Sequence, residues 1–303
     1  MNAASRPAHR SLSYPVFSDR VTRVSGVLVL AYLIATLAPM AMYARVTSHL
    51  VPLVAHLLAV IGAVAALELR DPRVRPVRDW LPLVVGPFLY VELRWLISGF
   101  GVPHVDARVQ GWELALFSGN PSATWAPAMP VRWMSETLHA AYASYYLIVY
   151  LPPALLYLRH RRTAFAATLL ALTIAYGLCF LTYLFFPVDG PRYLIGPAAA
   201  PDGPIRAFVL RLLDAGSSRG TAFPSSHVAA SVVASLAALR SQRRVGIVVS
   251  VMTLTLALAT VYGGFHYAVD GLAGTVFGVT AWLLASALCR ALSAPGEQSA
   301  SAA

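Results

Sequence analysis

Residues 223–231 read FPSSHVAAS and residues 261–274 read VYGGFHYAVDGLAG. Each stretch passes from polar or ring-bearing residues into an apolar run, so each marks the mouth of a helix. The apolar runs at 223–239 and 245–263 separate the two mouths, and a further run follows at 267–289. A chain that leaves one face on the first run and returns on the second brings both mouths to one side. Together they supply His227, His266, Ser225, Ser226 and Asp270. His266 and Asp270 are four apart and share a face if that stretch is helical. Two imidazoles and a carboxylate suit phosphoryl transfer: one ring attacks phosphorus, the carboxylate orients it, and the second ring protonates the leaving oxygen. A helix starting at Pro224 would also offer free backbone N–H groups to the phosphoryl oxygens.

The 303 residues are 58% hydrophobic and only 12% charged, against about 25% charged in ordinary globular domains. Apolar runs of near-spanning length recur at 25–44, 50–68, 80–101, 134–158, 163–186, 223–239, 245–263 and 267–289. This predicts an all-α integral membrane protein with about eight transmembrane helices and excludes a soluble enzyme. One membrane domain is expected over 25–290, with a basic tail at 1–24 and a flexible tail at 291–303. The formal charge of +10 lies mostly in short connections, which makes the bilayer, not nucleic acid, the expected partner. Every basic residue is arginine, which removes lysine chemistry such as Schiff bases. Cys179 and Cys289 fall inside apolar runs, and neither a disulfide framework nor metal-ligand spacing is visible.

Arginine bias sets the expected orientation. One alternating set of connections holds fifteen arginines, whereas the other holds seven: Arg45, Arg108, Arg132, Arg192, Arg206, Arg211 and Arg219. Both termini are therefore expected in the cytoplasm and both histidine motifs at the extracytoplasmic face. The first run lacks a small-residue cleavage site and reads as a retained helix.

Other segments gather around that face. Residues 102–133 carry His104, Asp106, Arg108, Trp112 and Glu113 in a mixed pattern that suits an interfacial helix. Residues 187–222 hold five prolines, four arginines and three aspartates, and so long a loop beside a site is usually functional. Ser225 and Ser226 fit either a helix cap or a phosphate contact. The third run contains Glu92 and Arg94, and ionisable groups inside a span are functional candidates. Arg94 can either rise toward the site as a phosphate ligand or pair with another helix. Tyr262 and Tyr267 read as interfacial aromatics, His104, His139 and Glu136 as structural, and His56 carries no signal. Gly274 and Gly278 are spaced for close helix approach.

The two motifs resemble the second and third signatures of the type 2 phosphatidic acid phosphatase superfamily, which groups membrane lipid-phosphate phosphatases and phosphotransferases. The remnant FFPVDGPRYL at 185–194 is similar to the first signature, with Phe185 where the family has lysine and Tyr193 where it has proline. Ala259 and Thr260 stand where the third signature has Ser-Arg. These altered cations place the chain nearest the inositol phosphorylceramide synthase-like branch. The resemblance implies a six-helix phosphatase-like core plus two N-terminal helices. It also implies His266 as nucleophile through a phosphohistidine, Asp270 holding its ring, and His227 as acid. Ser225 and the amides of Ser226 and His227 would bind phosphoryl oxygens, with Arg192 balancing their charge. It implies no cofactor, no metal, and a phospholipid, polyprenyl phosphate or sphingolipid phosphate as substrate. Headgroup transfer is the alternative to hydrolysis. A non-enzymatic lipid transporter or scaffold is a further one, disfavoured by the intact triad. Oligomeric state is not encoded in any of these features.

Overall fold

Each of the eight apolar runs is helical in the computed structural model, which describes residues 13–68, 71 and 73–293. In chain order the helices are α1 (Ser13–Ala35), α2 (Leu37–Thr47), α3 (Val51–Glu68), α4 (Arg75–Phe100), α5 (Asp106–Phe117), α6 (Pro121–Ala128) and α7 (Arg132–Ala143). They continue as α8 (Tyr145–Leu158), α9 (Arg162–Phe185), α10 (Pro191–Leu194), α11 (Pro204–Gly216), α12 (Ser226–Ser241), α13 (Arg243–Tyr262) and α14 (Ala268–Leu292). Among the described residues, six spans are long and apolar enough to cross a membrane, and the pair α7–α8, bent by 41°, makes a seventh. The predicted span at 223–239 is the exception. Its helix α12 has 16 residues, about 24 Å of rise, against a hydrocarbon core of about 30 Å.

Local chemistry explains where the runs break. The first run bends between α1 and α2, where Pro39 has no N–H for the carbonyl of Ala35. Helix α1 begins at Ser13, inside the segment read from sequence as a tail. Residues 1–12 and 294–303 of the two predicted tails lie outside the described residues. Ser144 joins α7 to α8, and its Oγ donates to the Ala141 carbonyl at 2.7 Å. Such side-chain competition with the helix ladder favours a bend. The bend turns both Tyr142 and Tyr145 onto the same partner, His227, as described below.

Helix α12 is rich in alanine and serine, and it buries Ala229, Ala230, Ala234 and Ala237 among α8, α9, α13 and α14. Small side chains let its neighbours come close. On α14, a Cβ at Gly274 would stand 2.5 Å from the Ser225 carbonyl oxygen, and one at Gly278 would stand 2.6 Å from that of Ala229. Glycine at these two positions is thus what allows α14 to lie against the backbone of α12. The Ser225 N–H donates to the Asp270 carbonyl at 3.0 Å, which fixes the starts of the two helices side by side.

The N-terminal helices are held by a buried polar pair that the sequence reading did not foresee. Glu92 of α4 is fully buried against His56 of α3, whose Nδ1 lies 3.1 and 3.0 Å from the two carboxylate oxygens. His56 Nε2 donates to the Leu33 carbonyl of α1 at 2.9 Å. Nε2 faces only an acceptor, so it carries a proton, and His56 and Glu92 then share one further proton between them. The pair is net neutral either way, which makes it tolerable inside a bilayer. Arg94 takes no part in it. Its guanidinium carbon lies 5.9 Å from the ring centroid of Trp95.

Removing one member of a buried pair strands the other, whereas removing both restores an apolar contact. His56→Leu or Glu92→Leu alone is expected to cost about 3–5 kcal/mol, and the double substitution clearly less than either single one. Unfolding midpoints of the four proteins in detergent check this.

Candidate active site

The starts of α12 and α14 bring His227 and His266 together, with ring centroids 6.1 Å apart in an edge-to-face arrangement. Both rings line one small cavity with Arg192, Tyr90, Tyr142 and Thr221. His266 is largely buried, and its Nδ1–H donates to the Ala222 carbonyl at 2.9 Å. Asp270 Oδ2 lies farther away, 3.4 Å from the same nitrogen. With the Nδ1–H held by these two acceptors, the free lone pair of His266 belongs to Nε2. Asp270 is fully buried, its Oδ2 accepts the Tyr267 N–H at 2.8 Å, and its Oδ1 has no hydrogen-bond partner.

His227 sits against two tyrosines from the α7–α8 bend. Its ring centroid is 5.2 Å from that of Tyr142 and 4.4 Å from that of Tyr145. The Tyr142 hydroxyl lies 3.3 Å from His227 Nε2 and can donate to it or accept from it. Tyr90, on α4, reaches the same cavity, and its hydroxyl is 3.2 Å from Thr221 Oγ1.

Of the other residues singled out in the sequence, Arg192 lines the cavity while its guanidinium also donates to Ser217 and pairs with Asp214 at 2.5 Å. Ser225 caps α12, its Oγ accepting the Val228 N–H at 3.4 Å. The Ser226 amide, offered by the resemblance to phosphoryl oxygens, instead donates to the Tyr183 hydroxyl at 3.2 Å. Arg94 is not among the residues lining the cavity. Tyr262 and Tyr267 are fully buried, contrary to the interfacial reading. Tyr267 accepts from Gln110 at 2.9 Å, and Tyr262 donates to the Met129 carbonyl at 3.3 Å. Both hydroxyls find partners inside, so neither needs the membrane surface.

Three carboxylates from α5 and α7 hold the site loops by accepting backbone N–H groups. Glu113 of α5 is buried and accepts from Ala268 and Val269, each at 2.9 Å, at the start of α14. Asp106 accepts from Asp189 and Gly190 at 3.1 and 3.0 Å, just before α10. Glu136 of α7 accepts from Ile205 and Arg206 at 2.9 and 3.0 Å, at the start of α11. Asp189 in turn accepts from Gly220 at 2.9 Å, beside a backbone bridge between Val188 and Thr221. His104, Asp106 and Asp189 place possible metal-ligand atoms within 4.8 Å of one another. Asp106 and Asp189, however, already spend oxygens on these backbone amides.

Two opposed histidines, a carboxylate four residues beyond one of them and an arginine thus meet at one cavity of a helical membrane protein, a set of groups suited to a phosphate ester. Residues 110–284, more than half of the chain, match the PAP2 superfamily, and the protein belongs to that superfamily. Membership supports a phosphatase-type enzyme acting on lipid phosphates. No curated protein and no solved structure matches the chain.

Glu113 fixes the helix that carries Asp270. Its loss removes two charge-assisted hydrogen bonds, each worth about 1.5–3 kcal/mol. Glu113→Ala is expected to lower both thermal stability and kcat, and Glu113→Gln to recover part of each. Melting curves together with steady-state kinetics on a phosphate ester test this.

Proposed function

We propose that the protein cleaves phosphate monoesters of lipids through a phosphohistidine, at the extracytoplasmic face of the membrane. The observation that carries this reading is the 6.1 Å approach of the His227 and His266 rings at a cavity shared with Arg192. Acid and nucleophile must both reach one phosphoryl group, and this spacing permits it.

His266 Nε2 attacks phosphorus, the N–P bond forms, and the P–O bond to the lipid breaks. His227, as imidazolium, gives its proton to the departing oxygen, so the lipid leaves as an alcohol. Water then attacks phosphorus, His227 takes its proton, the N–P bond breaks, and phosphate departs with His266 restored. Asp270 and the Ala222 carbonyl keep the His266 ring in one tautomer. Tyr142 orients His227. Arg192 faces the negative phosphoryl oxygens. Ser225 is fully buried outside the cavity lining and serves as the cap of the helix that carries His227. The arginine bias of the connections supports the extracytoplasmic assignment.

If an alcohol replaces water in the second half, the enzyme transfers a headgroup. The altered cations at Phe185 and Thr260 favour an inositol phosphorylceramide synthase-like enzyme as this second reading. Purified protein offered a panel of lipid phosphates, with and without free inositol or ceramide, separates the two by mass spectrometry of the products. Formation of a phosphorylated lipid product in place of free phosphate would establish the transferase. No product and no trapped phosphoenzyme with any substrate would sink both and leave a transport or scaffold role.

Alkaline quenching during turnover is expected to trap an acid-labile phosphoenzyme on His266. His266→Ala should abolish both adduct and turnover, while Asp270→Asn retains a remainder about 10²–10⁴-fold below wild type. A chelator is expected to leave the rate unchanged, and inhibition by EDTA would point to a metal at His104, Asp106 and Asp189.

Arg192→Ala is expected to lower kcat/KM roughly 10- to 150-fold, the worth of one charge-assisted contact. Arg206→Ala and Arg94→Ala should leave turnover per folded molecule near wild type. Equal losses for all three would remove Arg192 from the site.

A further inference from the structure

Three cavities follow one another along α4. The polar one, holding Arg192 and His266, shares Tyr90, Tyr142, Ser217 and His227 with a larger cavity of about 150 Å³. That second cavity lies between α4, α8, α9 and α11, and its walls include Tyr145, Tyr146, Tyr150 and Tyr176. It shares Gly86, Tyr176 and Phe180 with a third cavity of about 350 Å³, which is walled by α1, α4 and α9. Polarity falls in that order, from arginine and histidine through tyrosine to aliphatic residues such as Leu28, Val29 and Leu178. From Tyr90 to Pro82 the path descends about 12 Å at the helical rise.

Resting on the phosphatase reading above, we infer that this path holds the hydrocarbon chain of the substrate, and that the N-terminal helices α1 and α4 set which chains are accepted. Two observations carry it. His227, the acid that serves the departing oxygen, stands on the wall common to the first and second cavities, so the leaving group lies on that side of phosphorus. Beyond α11 the path runs between the spanning helices α1, α4 and α9 and loses its polar groups with depth, which suits a chain and not a sugar or a second headgroup. Helices α1 and α4 lie outside residues 110–284, the part that matches the superfamily. The path is thus walled jointly by helices inside the matched region, α8, α9 and α11, and by α1 and α4 from the segment that precedes it.

Two glycines make the inference testable. Added Cβ atoms at Gly86, where the second and third cavities meet, and at Gly177, in the third alone, would touch nothing within 4 Å. Side chains there start in open space and extend into the path. Gly86→Phe is expected to cut kcat/KM for medium- and long-chain alkyl phosphates by about tenfold or more, and Gly177→Leu for the long chains only. Both variants should hydrolyse a small soluble aryl phosphate as wild type does. Equal losses on soluble and long-chain esters, or no loss on either, would overturn the inference.

A second measurement needs no turnover. A long-chain alkyl phosphate carrying a photoreactive group at its chain end is cross-linked to His266→Ala protein and the adduct is mapped. Labelling of Leu28, Ile174 or Leu178, blocked by Gly177→Leu, is the expected result. Labelling elsewhere, or equal labelling by a matching long-chain alcohol without phosphate, would overturn it. Labelling as expected in a protein that hydrolyses no ester would keep the chain path and remove the phosphatase reading instead.

Discussion

The contact between the backbone of α12 and the glycine face of α14 is the constraint on which the site depends. Gly274 and Gly278 let α14 approach the Ser225 and Ala229 carbonyls more closely than any side chain would allow. The Ser225 N–H then binds the Asp270 carbonyl, and the two helix starts are locked in register. From those starts His227 and His266 project toward one cavity. Widening the contact by even one methyl group would shift one ring against the other. Catalytic geometry tolerates little such misplacement, because reacting groups must stay within hydrogen-bond reach.

Around this contact α5 and α7 act as clamps. Glu113, Asp106 and Glu136 each direct two carboxylate oxygens at successive backbone N–H groups of a distant segment. At the starts of α14 and α11 the amides bound by Glu113 and Glu136 have no partner within their own helix, and a carboxylate suits the positive end of the helix dipole. The same arrangement stabilises the loop and restrains the site. It also holds α5, which the sequence placed at the interface, against the segment that carries His266 and Asp270.

Charge is used sparingly in this protein. The site cavity is lined by one arginine and one aspartate, Arg192 and Asp189, by His227 and His266, and by the hydroxyl-bearing residues Tyr90, Tyr142, Tyr193, Ser217, Ser218 and Thr221. Deeper in the bundle, His56 and Glu92 neutralise each other and tie α1, α3 and α4 together. That tie matters for function if α1 and α4 form the wall of the chain path. An N-terminal pair that loosened would open the path as well as weaken the fold.

Apolar period and length were enough, from sequence alone, to give a helical membrane protein, because a bilayer accepts little else. The spacing of two spans between the motifs was enough to bring His227, His266 and Asp270 to one end. The residues between them could not be read the same way. Glu113 caps residues 155 and 156 positions away, far beyond the few residues over which a local capping pattern can be recognised. Nothing in the sequence singles out Tyr142 and Tyr145, which the bend at Ser144 turns onto His227. Arg94 and Glu92 looked alike as charges within a span, yet one lies beside Trp95 and the other is paired with His56. Helix α12 had the composition of a span, but its small residues and short length make it the buried centre of the bundle. Sequence fixes what a residue can do by its chemistry and near neighbours. Which residues meet across the bundle depends on packing between distant helices, and only the tertiary structure decides it.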